Sequence, residues 1–454
     1  MNYYSTNGIS SKSSFKDVLL QGLAEDKGLF MPESVPQFSQ KEIFGFKEKK
    51  YYEIAFEVIS KFLADEIPAA ELETIVKDAY NFSVPLEKIK GFPHEAYVLR
   101  LDGGPTASFK DFAARAMARL MNYFMREDAR KLTILVATSG DTGSAVANAF
   151  YGLDNIEVIV LFPEKEVTPN QRKQMTTLGK NVFVLAVKGK FDDCQAMVKR
   201  AFVDPDLNTL YNFSSANSIN LGRLIPQAVY YFYAYSRVAT APGEEVVFSV
   251  PSGNFGDLCG GLIAQRMGLP VKRFVVAVNE NDEFSKFVET GKYEKIVPSK
   301  GCISNAMNVG HPSNLSRLID LYTGKMDENG NIEKLPNMEK LRKEIFAVSV
   351  SDSETREAII NAYKNYMLLL EPHGAVAWKG LEVFLEKEDT FPGEKFVSLE
   401  TAHPSKFPEE IESLLNMKPS LHPALMEVAN KKEEYGLIEN DYNSFKEFLK
   451  KRKE

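Results

Sequence analysis

The chain is poor in the residues that build covalent or metal frameworks: 454 residues contain three cysteines, one tryptophan and five histidines. Cys194, Cys259 and Cys302 are far apart and odd in number, which argues against a disulfide framework or a CxxC metal site and fits a reducing cytoplasm. None of His94, His311, His373, His403 and His422 stands in HxxH or HExxH spacing, so no metal is expected. No run of about 18 apolar residues occurs, which excludes a helical membrane span. The opening MNYYSTNGISSKSSFKDVLL lacks a cationic flank before an apolar core, so a mature start near Met1 is expected. GxGxxG and Walker loops, repeats and low-complexity tracts are also missing. The formal net charge of −7 disfavours nucleic acid or an anionic membrane as the main partner and favours solubility, while leaving room for a local basic pocket that takes a small anion.

What is present is an ordinary globular balance, 44% hydrophobic and 26% charged, enough for two or three full cores. From Phe15 to about Phe92 the apolar spacing is helical, in FKDVLLQGLA, YYEIAFEVISKFLA and AAELETIVKDAYN. Strands and helices then alternate. A helix is expected through Lys110 to Met125, with strands over Lys131 to Ala137, Glu157 to Phe162 and Val182 to Val187, and helices between and after them. A second alternating block runs from Glu245 to about His403, with strands VVFSV, RFVVAV and KFVSLE. Alternation of this kind implies βαβ units and parallel sheets, here two α/β domains with a ligand cleft between them. The expected division is an α-rich unit over 1–95, an α/β domain over 96–240, and a second over 241–454 whose charged tail from Pro408 reads as a solvated helical face.

Five segments carry candidate chemistry. In LDGGPTASFKD, Lys110 follows a Gly-Pro-Thr turn and opens a helix, where desolvation and the positive helix end disfavour its charged form and suit it to imine formation. Its plain alternative is a solvated lysine. In VVFSVPSGNFGDL a strand runs into a glycine turn and a helix, so that the N–H groups from Gly253 through Asn254, Phe255 and Gly256 to Asp257 outline a cradle for one phosphate. The alternative is a structural turn. ATSGDTGS offers Thr138, Ser139, Asp141 and Thr142 at a helix start, either for an α-carboxylate or as an N-cap. NFSSANSINLGRLIPQ gathers Asn217, Ser218, Asn220 and the lone cation Arg223, a bidentate clamp for a second phosphate or a surface loop entering a helix. SLETAHPSKF ends a strand at Thr401, whose hydroxyl suits a heteroaromatic nitrogen; an edge-strand threonine, and for His403 a turn histidine, are the alternatives. An imine lysine with a monophosphate cradle suggests pyridoxal phosphate.

In this order, GGPTASFKDFAAR, ATSGDTGSAVANAF, NSINLGRLIPQ, PSGNFGDLCGG, EPHGAVA and ETAHPSKF resemble the threonine synthase family, from the N-terminal YYSTNG onward. The resemblance implies a fold-type II, tryptophan synthase β-like α/β architecture: two open twisted domains with a cleft, plus the α-rich N-terminal unit. It implies Lys110 as the Schiff-base lysine, the Gly253–Asp257 loop on the cofactor phosphate and Thr401 on the pyridine nitrogen. Thr138, Ser139, Asp141 and Thr142 are then placed near the substrate amino acid, and Asn217, Ser218, Asn220 and Arg223 near its phosphate. The implied reaction turns O-phospho-L-homoserine and water into L-threonine and phosphate in a monomer or homodimer. The rival within the enzyme class is a phospholyase releasing 2-oxobutyrate, ammonia and phosphate; the rival outside it is a silent scaffold, which retention of Lys110 and the phosphate loop disfavours.

Overall fold

Runs such as Leu132–Ala137 and Val246–Pro251 lack polar alternation, the pattern of strands covered on both faces, and every residue of both is buried. The computed structural model describes residues 1–63, 65–128, 130–138 and 140–453. Five parallel strands form one sheet in the order Gly436–Ile438, Val182–Val187, Ile156–Pro163, Leu132–Ala137 and Asn212–Ser215. A six-stranded sheet runs Ile345–Ser349, Val271–Val278, Val246–Pro251, Lys395–Glu400, Glu95–Arg100 and Leu86–Lys88, parallel except for the last pair.

Because side chains alternate along a strand, neighbours enter different cores. Ile134 and Val136 face the main core, with Phe112, Met117 and Val146, whereas Leu135 and Ala137 pack with Cys194, Met197 and Phe445. In the larger sheet Phe248 and Val276 join Tyr231 and Leu262, whereas Val247 and Val275 meet Trp378 and Leu381. The helix Leu221–Val238 packs on both Gly256–Arg266 and Lys110–Met125, so it joins the two sheets. Each candidate segment follows the carboxyl end of a parallel strand, where α/β sheets bind ligands.

Sheet membership departs from the contiguous division expected above. Glu95–Arg100 precedes Lys110 in the chain yet pairs with Lys395–Glu400 in the larger sheet. The tail is not a solvated face. Gly436–Ile438 extends the smaller sheet, and Tyr442–Lys451 buries Tyr442, Phe445 and Leu449, because its charged residues occupy only one side of that helix. The N-terminal helices Tyr51–Leu63 and Ala69–Ala79 share the main core with Phe112 and Tyr230. Among the described residues no helix is long and apolar enough to cross a membrane.

Candidate active site

Lys110 opens the helix Lys110–Met125, and the turn before it is fixed from two sides. Asp111 accepts the Thr106 N–H at 2.8 Å and the Thr106 hydroxyl at 2.6 Å, holding the Gly-Pro-Thr turn against the helix start. The Phe109 N–H donates to the Thr401 carbonyl at 2.8 Å, and the His403 N–H donates to the Ala107 carbonyl at 3.0 Å. The lysine loop is therefore docked by its backbone on the segment after Lys395–Glu400. Thr401 is buried beyond the end of an interior strand, not on an edge. The Lys110 side chain is 13% exposed, and burial, with Lys406 and Arg223 nearby, pushes its amine down to about 8 against the pull of Asp141.

The glycine turn Ser252–Gly256 leads into Gly256–Arg266, with Phe255 in the left-handed region at φ 58° and its ring 4.7 Å from that of Phe284. A Cβ on Gly253 would lie 2.7 Å from the Met307 Cα, so this glycine is demanded by the chain crossing over it. At Gly256 a Cβ would make only ordinary contacts, the nearest at 3.6 Å, so no close approach of the chain demands this glycine. Asn254 ties the turn down: its Nδ2 donates to Ser218 Oγ at 2.5 Å and its Oδ1 accepts the Ser313 N–H at 2.5 Å.

Arg223, in the first turn of Leu221–Val238, is 2% exposed. It donates from NH1 to the Ala216 carbonyl at 2.7 Å, while its buried Nε has no partner among the described residues. Burial lowers its affinity for its proton, to about 10, against the pull of Asp111. The Asn217 Oδ1 is likewise buried without a partner among the described residues. The guanidinium Nε and this amide oxygen thus keep hydrogen-bonding capacity that a bound anion or water can take up.

Several residues proposed from the motifs are occupied by the fold. The Asn220 amide caps its own helix through the Gly222 N–H and donates to the Leu19 and Ser215 carbonyls, which consumes its polar atoms. The Thr138 hydroxyl oxygen accepts the N–H groups of Gly140 and Gly143, closing the turn before Asp141–Phe150. Asp141 is buried and bound by Gln171 Nε2 at 3.0 Å and Lys406 Nζ at 2.6 Å, and the two lysines hold its carboxyl well below the usual range. The Asp257 carboxylate accepts the hydroxyls of Tyr230 and Tyr231 at 2.5 and 2.7 Å, and burial pushes it up to about 6, so what it offers the loop is its backbone N–H. Thr142 stays partly exposed at the helix start, and Ser139 lies outside the described residues.

Two groups escaped the motif reading. Lys406 is fully buried although it stands in the SKF of an already quoted motif, and a lysine gives no local sign of burial. His373 accepts the Ala306 N–H at Nε2, 3.0 Å away, and its Nδ1 lies 2.5 Å from Glu371, so this pair holds the turn that crosses Gly253. The EPH triplet placed it at a helix start, but only the fold brings Ala306 to it.

Two α/β sheets, a desolvated lysine at a helix start, and a glycine turn at a helix N-terminus define the class of pyridoxal-phosphate enzymes, and the residues present fit that group. A family model for pyridoxal-phosphate dependent enzymes matches residues 80–401. Models for the threonine synthase N terminus and C-terminal region match residues 2–80 and 375–449. Threonine synthase of Escherichia coli (strain K12) is 38% identical over 430 residues, covering 95% of each chain. That of Haemophilus influenzae is 39% identical over 426 residues, 94% of each. The crystal structure of pyridoxal-phosphate-bound threonine synthase from Brucella melitensis superposes with a TM-score of 0.92 at 36% identity, over 100% of this chain and 99% of that one. The yeast threonine synthase structure gives 0.90 at 31%, over 99% and 97%. Maize serine racemase, at 0.53 and 13%, over 73% of this chain and 92% of its own, shares the fold alone. The chain belongs to the threonine synthase family, as a pyridoxal-phosphate-dependent lyase.

Proposed function

We propose that the chain converts O-phospho-L-homoserine and water into L-threonine and phosphate, and that Arg223 receives the phosphate that leaves. The observation that carries this reading is the buried Arg223 guanidinium, whose Nε has no partner among the described residues and whose charge acts on Lys110 to depress its basicity. When bound, pyridoxal phosphate holds the substrate amine and draws electron density from the adjacent carbons. Lys110 would anchor the cofactor, and as a free amine it would take protons from the substrate Cα and then Cβ and return them at Cγ and Cα, the water that adds at Cβ supplying the hydroxyl. An amine pushed down to about 8 alternates between charged and neutral forms near neutral pH, as repeated transfers require.

The N–H groups of Gly253 to Asp257 would hold the cofactor phosphate, and the Thr401 hydroxyl would serve the ring nitrogen. Asn217 and Ser218 assist Arg223 at the substrate phosphate, and Thr142 with Ser139 receives the α-carboxylate. Thr138, Asp141 and Asn220 act one step back, by fixing the turns that carry these groups. Developing charge on the departing phosphate is offset by the guanidinium in a dry setting, where charge-assisted contacts are strong. We further infer a soluble cytoplasmic enzyme, a monomer or homodimer, with a small-molecule substrate and no nucleic-acid role.

Incubation with O-phospho-L-homoserine, with threonine, 2-oxobutyrate and phosphate all quantified, tests the reading. Threonine and phosphate in equal amounts are expected; 2-oxobutyrate with ammonia in place of threonine would make the chain a phospholyase.

A further inference from the structure

Lys110 is one of two lysines that meet at a single carboxylate. Lys406 closes the short 3-10 turn Pro404–Lys406, and its side chain has no solvent exposure. Its Nζ donates to Asp141 Oδ1 at 2.6 Å and to the Thr106 carbonyl at 2.9 Å. Asp141 Oδ2 lies 4.0 Å from the Lys110 Nζ, beyond hydrogen-bond distance. Gln171 fixes the same carboxylate by a third contact, from Nε2 to Oδ1. Asp141 is thus committed to Lys406 and only faces Lys110.

The groups around the Lys110 amine come from every element packed on it: Asp141 at the start of one helix, Lys406 on the 3-10 turn, Arg223 on the Leu221–Val238 helix, Glu371 at the start of Pro372–Lys387, and Asp257 on the helix after the glycine turn. Of the two lysines, Lys406 has its proton-bearing nitrogen locked by two short bonds to oxygen, and Lys110 makes none among the described residues. The member of the pair that can lose a proton to solvent without breaking a hydrogen bond is therefore Lys110.

We propose that Lys406 is a positioning residue that acts through Asp141, keeping that carboxylate from closing on Lys110 and so leaving the Lys110 amine free to shed its proton and attack a carbonyl. The inference rests on the reading of Lys110 as the lysine that bears the cofactor.

The test is the pH dependence of trace acetylation of Lys110 by acetic anhydride in the full-length chain stripped of cofactor, read by peptide mass spectrometry in wild type, Lys406→Met, Lys406→Arg and Asp141→Asn. Removing Lys406 takes away a like charge and releases Asp141 to pair with Lys110, so the midpoint rises by about one pH unit or more. Removing the Asp141 charge leaves Lys406 and Arg223 unopposed, so the midpoint falls. Lys406→Arg stays near wild type. A residue that merely filled space would not produce shifts of opposite sign in two variants that both break the same contact. Midpoints that stay put, or that move the same way in both variants, overturn the inference. If Lys406→Met fails to fold, as judged by circular dichroism, Asp141→Asn decides: a midpoint unmoved or raised overturns it. Borohydride reduction of the loaded wild type separates the two readings. Cofactor fixed to another lysine would remove the underlying assignment, whereas cofactor on Lys110 with unmoved midpoints removes this inference alone.

Discussion

Asn254 and Ser218 lie on loops from different sheets and are joined by a hydrogen bond of 2.5 Å, the Asn254 Nδ2 donating to the Ser218 hydroxyl. Through it the glycine turn and the approach to Arg223 move as one piece. Asn254→Ala removes this part-buried bond and the exposed Ser313 contact, at a cost of about 0.5–1.5 kcal/mol for an ordinary hydrogen bond. The expected result is weaker cofactor binding together with a raised KM for phosphohomoserine. A cofactor titration of the stripped chain and steady-state kinetics measure both, and a change confined to one would mean that the loops are independent.

The two glycines of the turn separate by steric need. Gly253→Ala drives a Cβ into the Met307 backbone and lowers the unfolding temperature, at a cost of about 1–3 kcal/mol for overpacking. Gly256→Ala meets only ordinary contacts and leaves the unfolding midpoint of the cofactor-free chain where it is, while reducing cofactor affinity. Calorimetry on both variants, with and without pyridoxal phosphate, distinguishes these effects; full affinity in Gly256→Ala would place the cofactor phosphate elsewhere.

For Arg223→Ala, kcat/KM with phosphohomoserine drops by on the order of 2–4 kcal/mol, as for a charge-assisted contact in a closed site, with cofactor absorbance retained. Arg223→Lys recovers part of the loss, since a point charge lacks the guanidinium fork. Lost absorbance in the alanine variant would instead assign Arg223 to the cofactor.

The half-buried His403 and the buried Asp257 give pH dependences of opposite sign. Burial lowers His403 from 6.5 to about 4, so the folded state resists its protonation. Its contribution to stability is present above pH 6.5 and is lost as the pH falls from there towards 4. Asp257 is raised from 3.8 to about 6, so its contribution is present below pH 3.8 and is lost as the pH rises through 6. Urea unfolding of wild type, His403→Asn and Asp257→Asn across pH 4 to 7 is expected to give difference curves that slope in opposite directions.

Phe445→Ala tests the tail. The ring is fully buried against the smaller sheet with Leu185 and Val187, and its loss costs about 3–5 kcal/mol. An unfolding transition unchanged by the substitution would return the tail to the solvated face its charges suggest.

The sequence was most legible where a feature is local. The helix Lys110–Met125 and the strand Val182–Val187 fall on the bounds that their periodicity predicts. The glycine turn was legible as a turn, but the demand on Gly253 was not, because Met307 reaches it from a distant segment. Lys406, and the engagement of Asn220, Asp141 and Asp257 by partners from other elements, were hidden for the same reason: the hydrogen-bond partner of a polar side chain is set by tertiary approach, which residue type and spacing do not encode. The tail was misjudged because charge dominates its composition while three residues, Tyr442, Phe445 and Leu449, carry its packing.

The pairing of Glu95–Arg100 with Lys395–Glu400 also governs how the molecule comes into being. On a ribosome the earlier strand emerges long before its neighbour exists, and until then only the short Leu86–Lys88 flanks it. The turn bearing Lys110 docks on the residues that follow the later strand, so the nascent chain has no assembled reaction centre until nearly all of it is synthesised. Non-local pairing of this kind slows folding and leaves an apolar edge uncovered in the meantime. Catalytic competence therefore arrives as one of the last events of biogenesis, and a chain released early is an aggregation hazard, not a partial enzyme.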